Sequence, residues 1–456
     1  MPMRDRALWA LAVLLSIALL MAPALWNGFA LLQYDSGGYL ARWYEGTLVP
    51  SRAVVYGLIL NAGAPLDFWP VLFVQSALAV WVIALTLRAH GLGNRPLTLL
   101  GIIAALCALT TLPWLSAILL TDIFCGLGVL ALYLLLLRAG TLSRAERIGL
   151  IVLAAVAAST HSATMAVLLA LLAAAALGFL IDRSFMPARG LGRGLIALVL
   201  GAVLVLSADL IVAKRLAWTP GGFALSFGRM LQDGIVKRYL NDHCPDATLR
   251  LCAYKDQLPD DADVWFWGSD LFDRLGRFAG LGPEMTRIAL GSIAEYPGMQ
   301  VETAAVATAR QLIDVHSGEG VRTDIWHTYA IIERFTPWAV PGMRAARQQT
   351  GGIDFTPINR LHYPIALLSM ALLPLIVFAA RRKWVAPDIG ALAAAAIIAL
   401  LANAFVCGAL SNPHDRYGAR MVWLATFVIV LAVASAWRQR RDAACGILPA
   451  PFQASN

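Results

Sequence analysis

Apolar residues fill this chain in long runs, and polar residues fall mainly between them. A helix needs about 20 apolar residues to cross a hydrocarbon core of about 30 Å. Ten runs read as spans, at 7–26, 68–88, 97–112, 116–137, 148–160, 163–181, 194–213, 361–380, 389–410 and 419–437. The stretch 148–181 is too long for one helix and is interrupted at "STHSAT", which predicts two short helices with a polar tip. "MAPALW" has the small-x-small spacing of a leader cleavage site, but the apolar run before it is longer than a leader core and reads as a true span. The pattern therefore predicts an all-α polytopic membrane protein of about ten transmembrane helices. Outer-face juxtamembrane helices and one large, mostly helical outer loop complete it. The expected segments are an N-terminal bundle of about seven spans (1–217, first outer loop 27–67), an extracytoplasmic loop domain (218–360), three C-terminal spans (361–437) and a cytoplasmic tail (438–456).

Within the loop domain, Phe223, Phe227, Met230, Leu231, Gly234 and Ile235 form one stripe at helical spacing. "PEMTRIALGSIAEYP" starts a helix with proline and stops before another. "DVWFWGSDLF" is aromatic, as headgroup-zone segments are.

Composition agrees with the pattern. The 456 residues are 59% hydrophobic and 14% charged, where soluble domains carry about 25% charged residues. The charges also orient the bundle. With the N-terminus inside, the inner segments hold 16 basic and five acidic residues, whereas 218–360 holds 14 basic and 17 acidic. That is the positive-inside asymmetry. The net charge of +8 is thus topogenic and lipid-facing, and calls for no nucleic acid. The expected location is a bacterial cytoplasmic (inner) membrane with both termini cytoplasmic. Of six cysteines, Cys107, Cys125 and Cys407 fall in spans and Cys445 in the tail. Cys244 and Cys252, eight apart on the oxidising side, are expected to form a disulfide.

Ionisable groups within membrane segments are costly and mark functional sites. Asp122, His161 and Asp209 are such groups, and each lies near an outer end. Asp35, in "LLQYDSGGYL", opens the first outer loop, and "SNPHDRYGAR" (411–420) is the last outer turn. The polar residues therefore converge on the outer mouth. A transporter would hold them near the midplane.

This arrangement resembles the GT-C superfamily of integral-membrane glycosyltransferases, which take sugars from polyprenyl-phosphate donors. The resemblance rests on "YDSGGYL" after the first span, on "SRAVVYGLIL" followed by a second span bearing Gln75, on the Asp-headed "TDIFCGLGVLALYLLLL", and on "SNPHDRYGARMVWL" near the closing spans. It covers residues 1–180 and 400–437 and leaves the outer loop out. Many members carry two adjacent acids in the first outer loop; here Ser36 follows Asp35, and the next acid is Glu45.

The resemblance implies sugar transfer, with inversion, to a glycolipid, glycan or protein acceptor. Asp35 is the candidate base, and Asp122 is a second catalytic acid that positions the acceptor or shares a divalent cation (Mg or Mn) with Asp35. Arg416, Arg420, His414 and Arg52 are candidate ligands for the donor phosphate, since a guanidinium fork matches phosphate oxygens. Tyr34, Tyr39 and His161 are candidate substrate contacts, and Gly37 and Gly38 would let the backbone approach a ligand closely. Gln75 reads as a helix–helix contact, and Asp209 as a packing or anchoring residue. Two other readings stand beside this one. An O-antigen-ligase-like transferase would work through loop histidines, here His243, His316 and His327. A transporter or lipid-binding protein would not be an enzyme.

Overall fold

The computed structural model describes residues 3–93, 95–183, 187–218 and 222–444, so Cys445 and the end of the expected tail lie outside the described residues. The helices follow the apolar runs: α1 (Met3–Asn27), α2 (Ser36–Glu45), α3 (Val54–Gly63), α4 (Trp69–Ala89), α5 (Pro96–Leu109), α6 (Leu112–Ala117), α7 (Asp122–Leu137), α8 (Arg144–Thr160), α9 (Ser162–Ile181) and α10 (Ala188–Ala213). The outer segment contributes α11 (Phe223–Gln232), α12 (Ile235–His243), α13 (Ala262–Gly268), α14 (Asp270–Arg274), α15 (Arg277–Glu295), α16 (Pro297–Ile313), α17 (Trp326–Phe335), α18 (Val340–Ala345) and α19 (Arg347–Thr350). The chain closes with α20 (Thr356–Arg381), α21 (Pro387–Ala404) and α22 (Asp415–Ala444). Among the described residues there are no strands, only the isolated bridges Leu31–Ile118 and Val49–Arg52.

Seven of these helices are long and apolar enough to cross a membrane: α1, α4, α9, α10, α20, α21 and α22. This is an integral membrane protein. The other three expected spans coincide with α5, α7 and α8, of 14, 16 and 17 residues. At 1.5 Å per residue they reach only about 21–26 Å. The break in 148–181 falls at His161, whose backbone is extended between α8 and α9.

Helix α7 is the shaft of the bundle. Every residue from Asp122 to Leu136 is buried, as expected of a helix apolar on all sides. Its start differs from the sequence expectation of 116. Residues 118–121 are instead drawn out of helix by the loop after α1, where Leu31 N–H donates to Ala117 O (2.9 Å) and Leu119 N–H donates to Leu31 O (3.0 Å). Gln75 fastens the same break, donating to Ser116 O (3.2 Å) and Ile118 O (3.3 Å) while accepting from Tyr56 (3.0 Å). Asp122 thus becomes the first residue of the central helix.

The buried residues of the outer segment divide between two hydrophobic cores. Helices α11–α15 pack around their own core, with Phe227, Trp265, Phe272 and Met285 fully buried. The expected Cys244–Cys252 disulfide is present there. By contrast, Val321, Ile325, Ile332, Met343 and Phe355 belong to the core of the membrane bundle. The return segment is thus part of the bundle, and the 223–296 unit stands on it.

Candidate functional site

Loop 29–35 is held by residues far away in sequence. The Gln348 side-chain amide accepts from Leu32 N–H (3.0 Å) and donates to Leu32 O (2.7 Å), replacing a missing backbone partner. Thr328 Oγ1 donates towards Gln33 O and Tyr34 O (3.0 Å each) and accepts from Gly37 N–H (3.1 Å). The two glycines therefore admit protein rather than ligand. A Cβ on Gly37 would lie 2.6 Å from Thr328 Cα, and one on Gly38 would lie 3.3 Å from Arg52 Nε. Gly37→Ala forces two helices apart and should cost about 1–3 kcal/mol. Gly38→Ala need only displace a flexible side chain and should cost less. Thermal denaturation of the two purified variants checks this order, and equal loss in both would contradict it.

Asp35 stands at the N-cap position of α2, yet its side chain makes no cap hydrogen bond. Both of its oxygens meet guanidinium groups. Arg52 Nη2 binds Oδ1, and Arg416 Nη1 binds Oδ2 at 2.6 Å. Arg416 reaches the other way through Nε to Asp122 Oδ2, at 2.9 Å. The sequence places Arg416 in the first turn of α22 and Asp122 in the first turn of α7, and the two helix starts meet at this ion pair. Burial pushes the Asp35 carboxyl up, but Arg52 and Arg416 outweigh it and hold it below its ordinary value.

This geometry corrects several sequence expectations. Between Asp35 and Asp122, where a shared divalent ion was expected, the structure has the Arg416 guanidinium bonded to both carboxylates. Asp122 is 1% exposed and faces Arg416 and Arg420 rather than open space, so it supports the site from behind. Arg420 is fully buried, bonded to Asn403 (2.8 Å) and to Cys407 Sγ (3.1 Å), and is not positioned for a donor phosphate. Tyr39 is likewise fully buried, edge-on against Tyr56, and offers no face to a sugar.

The remaining candidates do converge. Tyr34, Asp35, Arg52, His161, His414 and Arg416 line one cavity of about 240 Å³. Its other wall comes from the outer unit (Leu225, Asp263, Phe266, Trp267) and from Val406 and Leu410 beside α21. The chain there, Phe405–Ala409, is π-helical, a local distortion common at functional sites. The chain matches no family model, no curated protein and no solved structure. The site therefore has to be read from its own chemistry.

His414 is clamped between two carboxylates, Glu319 on Nδ1 (2.8 Å) and Asp263 on Nε2 (3.2 Å). Burial pulls its pKa down, but the two partners push it up to about 10. It is thus a fixed cation, not free to act as a proton donor to a leaving group. Asp263 belongs to the outer unit, and Asn412 beside His414 also receives Arg229 (3.4 Å) and Gln232 (3.0 Å) from α11. The outer unit is therefore pinned over the cavity by polar contacts. Because the folded pKa of His414 is raised from 6.5, its contribution is complete below about pH 6.5 and lost as pH rises towards 10. Asp263 and Glu319 have lowered values, so their contribution is lost in acid instead. We expect wild-type thermal stability to fall between pH 7 and 10 by more than that of His414→Gln. Parallel curves would remove His414 from this role.

Asp263, Glu319, Asn412, Thr328 and Gln348 were not singled out by the sequence. The loop histidines of the ligase-like reading lie elsewhere. His243 stacks on Tyr239, His316 pairs with Asp415 (2.8 Å), and His327 is exposed; none of them lines the cavity. A separate apolar groove of about 610 Å³ runs between α1, α5 and the 352–358 segment at the start of α20, lined by Leu19, Trp26, Cys107 and Trp114. Trp114 also lines a small recess with Phe355, Asp122 and Arg416, so the groove ends near the arginine site.

Proposed function

We propose that this protein is a membrane glycosyltransferase that moves a sugar, with inversion, from a polyprenyl-phosphate donor to an acceptor on the outer side of the membrane. The observation that carries the reading is Asp35, gripped by Arg52 and Arg416 on the wall of a cavity lined by both polar and apolar side chains. A phosphate competes well for paired guanidiniums, because their planar forks match its oxygens. As Arg52 and Arg416 turn to the donor phosphate, Asp35 loses the partners that keep it a weak base. Its burial then raises its basicity while the donor is in place. The carboxylate takes the acceptor hydroxyl proton, the acceptor oxygen attacks the anomeric carbon, and the bond from that carbon to the phosphate oxygen breaks. The polyprenyl phosphate leaves with both electrons of that bond, its charge held by the two arginines.

The apolar groove near Trp114 supports a lipid-borne donor, and the basic bias of the opposite face supports cytoplasmic termini in a bacterial inner membrane. On this reading α5, α7 and α8 complete ten crossings within the bundle. No step requires a metal ion at Asp35 and Asp122. The test is mass spectrometry of surface glycolipids, glycans and glycoproteins from a deletion strain complemented with the wild-type chain. Loss of one sugar on deletion and its return on complementation support the reading. An unchanged sugar profile, with a lipid or solute instead failing to cross, favours a transporter.

A further inference from the structure

Asp209 is an intramembrane acid that the site chemistry leaves unused. It lies one turn from the outer end of α10 and is 4% exposed. Among the described residues it has no hydrogen bond or ion pair, unlike Asp35 and Asp122. An unpaired carboxylate in a poorly hydrated place is costly, and its neighbours show where a partner would come from. Asp209 lines a recess together with Arg52, His161, Ser51, Ser162 and Trp218. Of these, Arg52, His161, Ser51 and Ser162 also line the main cavity, so the recess is a branch of it.

The polar groups of the branch are complementary. His161 Nδ1 accepts from Ala163 N–H at 3.2 Å, which uses it as the cap of α9. With Nδ1 accepting, the ring proton of His161 sits on Nε2, which makes that nitrogen a donor. Asp209 is an acceptor only. The branch measures about 20 Å³, room for little more than one water-sized group at about 10–15 Å³ each. It is far too small for a sugar ring, which belongs in the main cavity.

We propose that the Asp209 branch recognises a single O–H or N–H donor substituent, a hydroxyl or an ammonium, projecting from the sugar ring held in the main cavity, and so selects which sugar the protein accepts. This rests on the glycosyl-transfer reading. A buried acceptor rejects an analogue that leaves it unpaired far more strongly than an apolar pocket rejects a misfit.

The test uses the full-length detergent-solubilised protein in native mass spectrometry. It is offered equal amounts of undecaprenyl phosphate carrying glucose, galactose or glucosamine. Wild type should favour one of the three by about 10-fold or more, since hydrogen bonds to charged groups are among the stronger ones. Preference for glucosamine identifies an ammonium, and preference for glucose or galactose a hydroxyl. In Asp209→Asn, which keeps the shape, and in Asp209→Ala, the preference should collapse while total retention of lipid remains. A merely structural Asp209 would alter retention of all three alike. Equal retention of the three by wild type, or an unchanged preference in both variants, overturns the proposal. Retention of none by wild type overturns the glycosyl-transfer reading itself, and the proposal with it.

Discussion

Arg416→Met should cost about 3–5 kcal/mol of stability, the scale for removing one partner of a buried ion pair. The side chain is 7% exposed and neutralises Asp35 and Asp122 together. Without it, Asp122 keeps only Arg420 Nη1 at 3.8 Å, too long for a hydrogen bond. Lysine does not repair the loss, because a single ammonium cannot reproduce the Nε and Nη1 bonds that point in different directions. Adding Asp122→Asn to Arg416→Met should recover part of the stability, since one of the stranded charges is then absent. Thermal unfolding of the solubilised single and double variants reads this coupling. If the two substitutions simply add, Arg416 is not the partner of Asp122 in solution.

The layout of helices was legible because burial in lipid or in a bundle demands the same thing of every residue in a run. Even the break at His161 could be read, since "STHSAT" interrupts an otherwise apolar stretch. The start of α7 was not legible. It depends on Leu31 pairing with Ile118, a contact between segments separated by five helices. The same limit explains the site. Asp35, Arg52, His161 and Arg416 were visible as polar residues at outer ends. Their division into groups lining the cavity and groups behind it was not. Arg416 and Arg420 are one helical turn apart in sequence, yet one lines the cavity and the other bonds Asn403 and Cys407 in the interior. Glu319, Thr328 and Gln348 come from a segment whose sequence carries no motif. They earn their places through contacts with residues roughly 90–320 positions away, such as His414, Gln33 and Leu32. The two glycines after Asp35 were read as room for a ligand, although the room is filled by Thr328 and Arg52. A missing side chain reveals close approach and not what approaches.

Asp35→Asn should separate binding from chemistry. The amide keeps the shape of the carboxylate but cannot take a proton, and general-base catalysis accounts for about 10²–10⁴-fold in rate. Transfer should fall by that factor. Donor retention should hold or rise, because Arg52 and Arg416 are no longer neutralised by a carboxylate when the phosphate arrives. A residue whose only task was to brace two arginines would give the opposite pattern, with weaker donor binding and a rate that recovers at saturating donor. Two measurements on the same solubilised protein decide between them: native mass spectrometry for retained polyprenyl-phosphate sugar, and sugar transferred per minute at saturating donor. Arg52→Ala supplies the complementary arm. It frees one oxygen of Asp35 but removes a phosphate contact, so donor retention should fall while Asp35 stays ionisable. If Asp35→Asn transfers sugar at the wild-type rate, the carboxylate is not the base, and the paired arginines alone remain to explain the site.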